Sequence, residues 1–209
     1  MVDIKPLFPE PTINTARFWR HKTVGLLGGS FNPVHEGHLH ISNRALRKLP
    51  IDCLWWNFTP KNPFKKDIKT PPIDERIAQA RTIVDNPRII FSRIEKELNI
   101  YRTHQLGAAL HHYFPQTNFI WVGGIDLVDG FHRWENWQEI PSYFPIVFFQ
   151  RPPFKGSIKR SILRVNKTLH HEFKLPHLPS DYKKSHIYWD LHGKTCIASS
   201  SALREAQQR

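Results

Sequence analysis

A short apolar run, paired glycines, and then two histidines spaced around a third glycine most narrow what this chain can become. The stretch is Thr23-Val24-Gly25-Leu26-Leu27-Gly28-Gly29-Ser30-Phe31-Asn32-Pro33-Val34-His35-Glu36-Gly37-His38. Val24, Leu26 and Leu27 suit a strand covered on both faces of a sheet. Gly28 and Gly29 carry no Cβ to hold a ligand away from the backbone. Asn32-Pro33 turns the chain, and a helical pattern begins at Leu39. A helix start offers unpaired N–H groups and the positive end of the macrodipole, so phosphate is the expected guest, with imidazoles close by.

Spacing removes the commonest alternatives. No Gly-Lys-Ser/Thr follows the glycines as in a Walker A loop, and the dinucleotide pattern G-x-G-x-x-G is absent. A zinc-protease helix would need a second histidine at position 39, which is Leu39. Taken singly, His35, His38 and His40 could be metal ligands or surface residues in a chain that holds 13 histidines. In this order, next to the glycines, they point to a nucleotide site.

Composition sets outer bounds. The 209 residues suffice for one domain with a substantial core. No apolar run approaches the roughly 20 residues that span a bilayer. Residues 1–22 lack the apolar centre of a secretory signal and read as an irregular, proline-bearing lead-in to a single domain over 23–209. Cys53 and Cys196 lie far apart in unrelated contexts, which suggests neither a disulfide framework nor a zinc knuckle, and a cytoplasmic setting is expected. The net charge of +12 would attract polyanions, but the basic residues are spread out, with modest clusters at 61–69 and 155–164. Phosphorylated small substrates would favour the same potential.

The segment Gly28 to His38 resembles the signature of the HxGH nucleotidylyltransferases, and more narrowly of the bacterial nicotinate-nucleotide adenylyltransferases. Further matches run to Arg204. Pro60-Lys61-Asn62-Pro63-Phe64-Lys65-Lys66 follows a strand and is similar to the family's Thr-Pro-x-x-Pro-x-Lys segment, which implies that Lys65 approaches phosphate. Tyr101-Arg102-Thr103 stands where the family carries a Tyr-Thr pair that holds the pyridine nucleotide. Here the threonine falls one place late, so only Tyr101 is carried over. Gly123-Gly124-Ile125-Asp126 and Phe131-His132-Arg133-Trp134 resemble the Gly-Ala-Asp and Phe-His-x-Trp segments. Asp126 at a strand end can accept from ribose hydroxyls, or simply cap a turn. Trp134 offers a flat apolar face to a pyridine ring, while Trp121 and Trp137 read as core. Ala198-Ser199-Ser200-Ser201-Ala202-Leu203-Arg204 is similar to the family's Ile-Ser-Ser-Thr-x-Ile-Arg. With Ser201 as a helix cap, Arg204 sits in the first turn, where a cation needs an anion to offset the macrodipole.

The other elements read as helices over 38–49 and 74–85 (the second capped by Asp74), and a helix from 97 through 106 toward Phe114. Strands are expected at 53–59, 88–92, 119–124, 146–149 and 186–189, with a surface excursion over 154–182. Strands alternating with helices imply a doubly wound, mostly parallel α/β sheet of Rossmann-like type. The resemblance implies adenylyl transfer from ATP to nicotinate mononucleotide, giving deamido-NAD and pyrophosphate in NAD biosynthesis. It implies an ATP site of Gly28, Gly29, Ser30, Phe31, His35, His38, Lys65, Ser199, Ser200 and Arg204, with His35 and His38 catalytic. The pyridine nucleotide would meet Asp126, Trp134 and Tyr101. No residues are assigned as metal ligands; Mg²⁺ is expected to come with ATP. The competing readings are another phosphorylated acceptor, nicotinamide mononucleotide included, or a basic nucleic-acid-binding protein, against which the intact histidine and serine motifs argue.

Overall fold

The structure, a computed structural model, describes residues 5–60, 70–151 and 158–191. Lys65, Cys196, Ser199, Ser200, Ser201 and Arg204 lie outside the described residues. Seven strands form one sheet: β1 (Thr23–Gly29), β2 (Cys53–Phe58), β3 (Ile89–Ser92), β4 (Asn118–Gly124), β5 (Ile146–Phe149), β6 (His170–Glu172) and β7 (His186–Asp190). Their order is β3-β2-β1-β4-β5-β7-β6. Every pairing among the described strands is parallel, so the expected "mostly parallel" sheet is parallel throughout them.

The strands carry apolar side chains to both faces because both faces are covered. Trp55 and Trp56, adjacent in β2, project to opposite sides and are both fully buried. On one face Trp55 packs with Trp19, Leu106, Leu110, Phe114 and Trp121. On the other, Trp56 packs with Phe31, Ile41, Ala45, Ile73 and Ile77. The second face is roofed by α1 (Glu36–Lys48) and α2 (Ile73–Arg81), the first by α4 (Thr103–Tyr113), which follows the single turn α3 (Ile94–Glu97).

Several boundaries differ from the sequence expectation. Helix α1 starts at Glu36 because an imidazole, that of His35, caps it. Helix α2 has Pro72 at its cap and ends at Arg81, while Asp74 lies in its first turn and pairs with Arg93 and Lys96. The excursion over 154–182 contains the strand β6, short, polar and at the sheet edge, where periodicity carries no signal. The lead-in is partly regular: Ile13–Trp19 is a 3₁₀ helix capped by Thr12, and Trp19 sits edge-on to Trp55 at 4.8 Å in the core. Glu10 anchors the same segment through ion pairs to Arg81 and Arg93.

The strand order reverses between β1 and β4, and there the sheet opens a crevice beyond its carboxyl ends.

Candidate active site

A cleft of about 700 Å³ occupies that crevice. Its walls come from the ends of β1 (Gly28, Gly29, Ser30), β2 (Asn57, Thr59) and β4 (Gly124, Asp126), with His35 and His38 at the start of α1. Of the anticipated site residues, Gly28, Gly29, Ser30, His35, His38, Asp126, Trp134 and Tyr101 line this one cleft. Phe31 lies beneath it.

The histidines cap their own helix reciprocally. Gly37 N–H donates to His35 Nδ1 at 3.0 Å, and His35 N–H donates to His38 Nδ1 at 3.3 Å. Each Nδ1 is therefore an acceptor, which leaves the proton of each neutral ring on Nε2. The two rings lie 3.8 Å apart between centroids, His35 buried and His38 half-buried. The outcome is two oriented N–H donors beside a helix N-terminus.

Phe31 forms the bed under His38, with ring centroids 4.8 Å apart, and it stacks on Trp56 at 4.7 Å and 5°. Its φ of 45° places it in the left-handed region, at a cost of about 1–2 kcal/mol for a residue with a Cβ. Full burial of the ring contributes roughly 2–3 kcal/mol, so packing wins and the turn is held. Arg76, on α2 and buried, ties the loops after β1 and β2 together. Its guanidinium donates to the carbonyl oxygens of Ser30, Thr59 (3.1 Å) and Pro71 (2.9 Å). Burial lowers its pKa without removing the charge. Sequence reading missed Arg76, which looks like any helix-surface arginine until the loops fold over it.

The glycines work by leaving space. A Cβ on Gly28 would meet nothing within 4 Å, so the cleft comes right up to the backbone there. A Cβ on Gly124 would collide with Asp126 Oδ1 and stand 3.2 Å from Arg151 Nε. Those two groups form a bidentate pair, Nε to Oδ1 at 3.1 Å and Nη2 to Oδ2 at 2.5 Å. Asp126 is thus already engaged, which the sequence did not reveal, yet each of its oxygens keeps a further lone-pair direction. Trp134 is half-buried. It stacks on Phe131 at 4.9 Å and makes an edge-to-face contact with Trp121 at 5.8 Å, and it lines the cleft. Trp121 and Trp137 are both buried as expected, although Trp121 also lines the cleft. Tyr101 is 41% exposed at the mouth and donates its hydroxyl to Asn99. Next to it, Arg102 pairs with Glu135 at 3.0 Å, joining the segment before α4 to the one after Trp134.

Glu95, on α3, is a further cleft residue that sequence reading missed. It is buried, and burial pushes its carboxyl up to about 7 against the opposing hydrogen bonds of Thr59 and Asn57. A glutamate just past the apolar strand Ile89-Ile90-Phe91-Ser92 was the available signal, the same one that marked Asp126. Among the described residues no three of His, Cys, Asp or Glu converge as a metal site.

A cytidylyltransferase-like family model matches residues 26–206. A protein of Agrobacterium fabrum is 38% identical over 187 residues, 87% of this chain and 97% of its own length. One from Brucella abortus is 35% identical over 191 residues, 88% of this chain and 95% of its own. Both bear the name probable nicotinate-nucleotide adenylyltransferase. Among solved structures, Plasmodium falciparum nicotinic acid mononucleotide adenylyltransferase complexed with NaAD matches with a TM-score of 0.67, over 88% of this chain and 83% of that one. At 16% identity, this last likeness is one of fold.

Proposed function

This chain belongs to the nicotinate-nucleotide adenylyltransferase family, and from that premise we propose that it transfers the adenylyl group of ATP to nicotinate mononucleotide. The products are deamido-NAD and pyrophosphate, a step of NAD biosynthesis. The observation that carries the reading is the histidine pair, two Nε2–H donors fixed at the start of α1 beside a backbone without side chains.

The acceptor brings its own nucleophile, a phosphate oxygen that is already ionised. It forms a bond to the α-phosphorus of ATP as the bond from that phosphorus to the bridging oxygen of pyrophosphate breaks. No protein nucleophile is needed, and catalysis consists of alignment and stabilisation of shifting charge. Gly28, Gly29 and Ser30 would let the phosphates approach the backbone. His35 and His38 would donate to phosphate oxygens, His38 nearest the charge that moves to pyrophosphate. Phe31 holds the turn from below. Lys65, Ser199, Ser200 and Arg204 are proposed to hold the triphosphate, on the strength of the family motifs alone. Asp126, steadied by Arg151, would take ribose hydroxyls. Trp134, with Tyr101 at the mouth, would take the pyridine ring. Magnesium belongs to the substrate: it would enter as Mg-ATP, held by phosphate oxygens and water, and supply charge neutralisation there.

We take residues 23–209 as one catalytic domain and 1–22 as its lead-in, of which Glu10 and Trp19 are packed upon it. Cytoplasmic residence is part of the same proposal. It is supported by Cys53, a free thiol buried in β2 with its pKa pushed up to about 12 by burial, and by the absence, among the described residues, of a helix able to cross a membrane. The test of the function is incubation of the full chain with Mg-ATP and nicotinate mononucleotide. Deamido-NAD and pyrophosphate should form in equal amounts, and absence of both would reject the reading.

A further inference from the structure

On the β2–β3 side of the cleft, three polar side chains form a hydrogen-bonded series with a loose end. Ile94 N–H donates to Ser92 Oγ at 3.3 Å, and the Ser92 hydroxyl in turn donates to Asn57 Oδ1 at 3.0 Å. With its carbonyl occupied, the Asn57 amide donates from Nδ2 to Glu95 Oε1 at 2.6 Å. The direction is therefore set from the backbone outward, and Glu95 must accept through Oε1. Its other oxygen, Oε2, is buried and makes no hydrogen bond among the described residues that meets full geometry, the Thr59 hydroxyl standing only close enough to the carboxyl to oppose the rise in its pKa. The side chain belongs to the cleft lining, with only 5% of the residue exposed.

A structural role for Glu95 would be complete with Oε1. Leaving a second buried carboxyl oxygen without a partner is costly, so the arrangement calls for a group that arrives with the ligand. Glu95 lines the same cleft as Tyr101, Arg102 and Thr103, which follow it closely in the chain, and the Arg102–Glu135 pair links that segment to the one after Trp134. This is the end of the cleft assigned above to the acceptor. We propose that Glu95 is a contact residue for the acceptor nucleotide: as a neutral carboxylic acid, it donates a hydrogen bond from Oε2 to an oxygen of that nucleotide. The inference rests on the adenylyl-transfer reading.

The neutral form follows from the surroundings. Burial has already raised the carboxyl to about 7, and the arriving phosphate and ring carboxylate are anions, which push it further the same way. An ionised Glu95 would repel the substrate, whereas the acid supplies a donor where an oxygen-rich ligand needs one.

The test measures binding of nicotinate mononucleotide and, separately, of a non-hydrolysable ATP analogue to the full chain at pH 7. Wild type is compared with Glu95→Leu and Glu95→Gln. Leucine fills the space without a polar atom. Glutamine keeps an acceptor for Asn57 and places an N–H donor where Oε2–H stood. Leu should weaken acceptor binding by about tenfold or more and leave the ATP analogue unaffected, and Gln should recover most of that loss. Unchanged acceptor binding in the Leu variant would overturn the proposal. So would equal losses for both ligands, or a Gln variant as weak as Leu, which would indicate an ionised acceptor instead. If the Leu variant fails to fold, a tenfold loss in the Gln variant alone is sufficient to overturn it. Ribose 5-phosphate, which lacks only the ring, narrows the contact: if Leu weakens it as well, the contact is to the sugar or its phosphate, and if not, to the ring carboxyl. Failure of wild type to bind any pyridine mononucleotide would reject the adenylyl-transfer reading itself, before any variant is compared.

Discussion

Glu95 also leaves a mark on stability that can be read with no ligand present. In the unfolded chain its carboxyl ionises near the ordinary value of 4.5, and in the folded protein near 7. Between those values the folded state holds a proton that the unfolded state has lost. Stability must therefore fall as pH rises through that window and level off above it. At about 1.4 kcal/mol per pH unit, the full effect is roughly 3 kcal/mol. At pH 5 the unfolded carboxyl is already mostly ionised, so about 2.5 kcal/mol remains to be lost by pH 8. His171 adds its own pH dependence in part of this range, because burial lowers its folded pKa to about 4 from the ordinary 6.5, so the wild-type curve alone is not diagnostic. The Glu95→Gln variant removes one carboxyl and keeps the rest, and the difference between the two proteins isolates it. Urea unfolding of both at pH 5 and pH 8, with equal m-values, should show the variant gaining about 2.5 kcal/mol on wild type between the two conditions. A difference that does not change with pH would refute the reasoning: the carboxyl would then be solvated, and the loose end at Oε2 an illusion.

Three further outcomes test other parts of the site. Gly28→Ala should fold with stability within about 1 kcal/mol of wild type, because its Cβ meets nothing within 4 Å, yet it should raise the KM for ATP several-fold; an unaltered KM would place the phosphates elsewhere. His38→Ala should lower kcat by roughly 10²–10³ while weakening ATP binding far less, as loss of one oriented donor does, and equal losses in both would argue against a role confined to the transition state. Asp190→Asn would remove the buried carboxylate that Arg44 and Lys48 share, and urea unfolding should show a loss of about 3 kcal/mol or more; a loss under about 1 kcal/mol would mean that the pair contributes little to folding.

The sheet was legible because buried parallel strands are written as continuous apolar runs. Ile146–Phe149 falls where it was expected, β2, β4 and β7 are within a residue of their expected spans, and β1 runs on through the two glycines that were read as the turn. Helix starts were less legible. His35 is a capping residue of an unusual kind, and only the folded backbone shows that its Nδ1 is spent on that task. Strand β6 was hidden because His170-His171-Glu172 at an edge needs no apolar face. Within the site, residues embedded in a local motif could be found, whereas those joined by tertiary contact could not. Nothing in the spacing of Arg76 or Arg151 announces that the first laces two loops and the second clasps Asp126, and the strand end before Glu95 marks its place without showing that it ends a polar series in the cleft.

The central claim concerns the reaction, and a direct comparison of acceptors tests it best. The full chain with Mg-ATP should release pyrophosphate with nicotinate mononucleotide at a kcat/KM well above that with nicotinamide mononucleotide, the product having the mass of deamido-NAD. Turnover confined to the amide would contradict the substrate assignment. Absence of pyrophosphate with either would contradict the account as a whole.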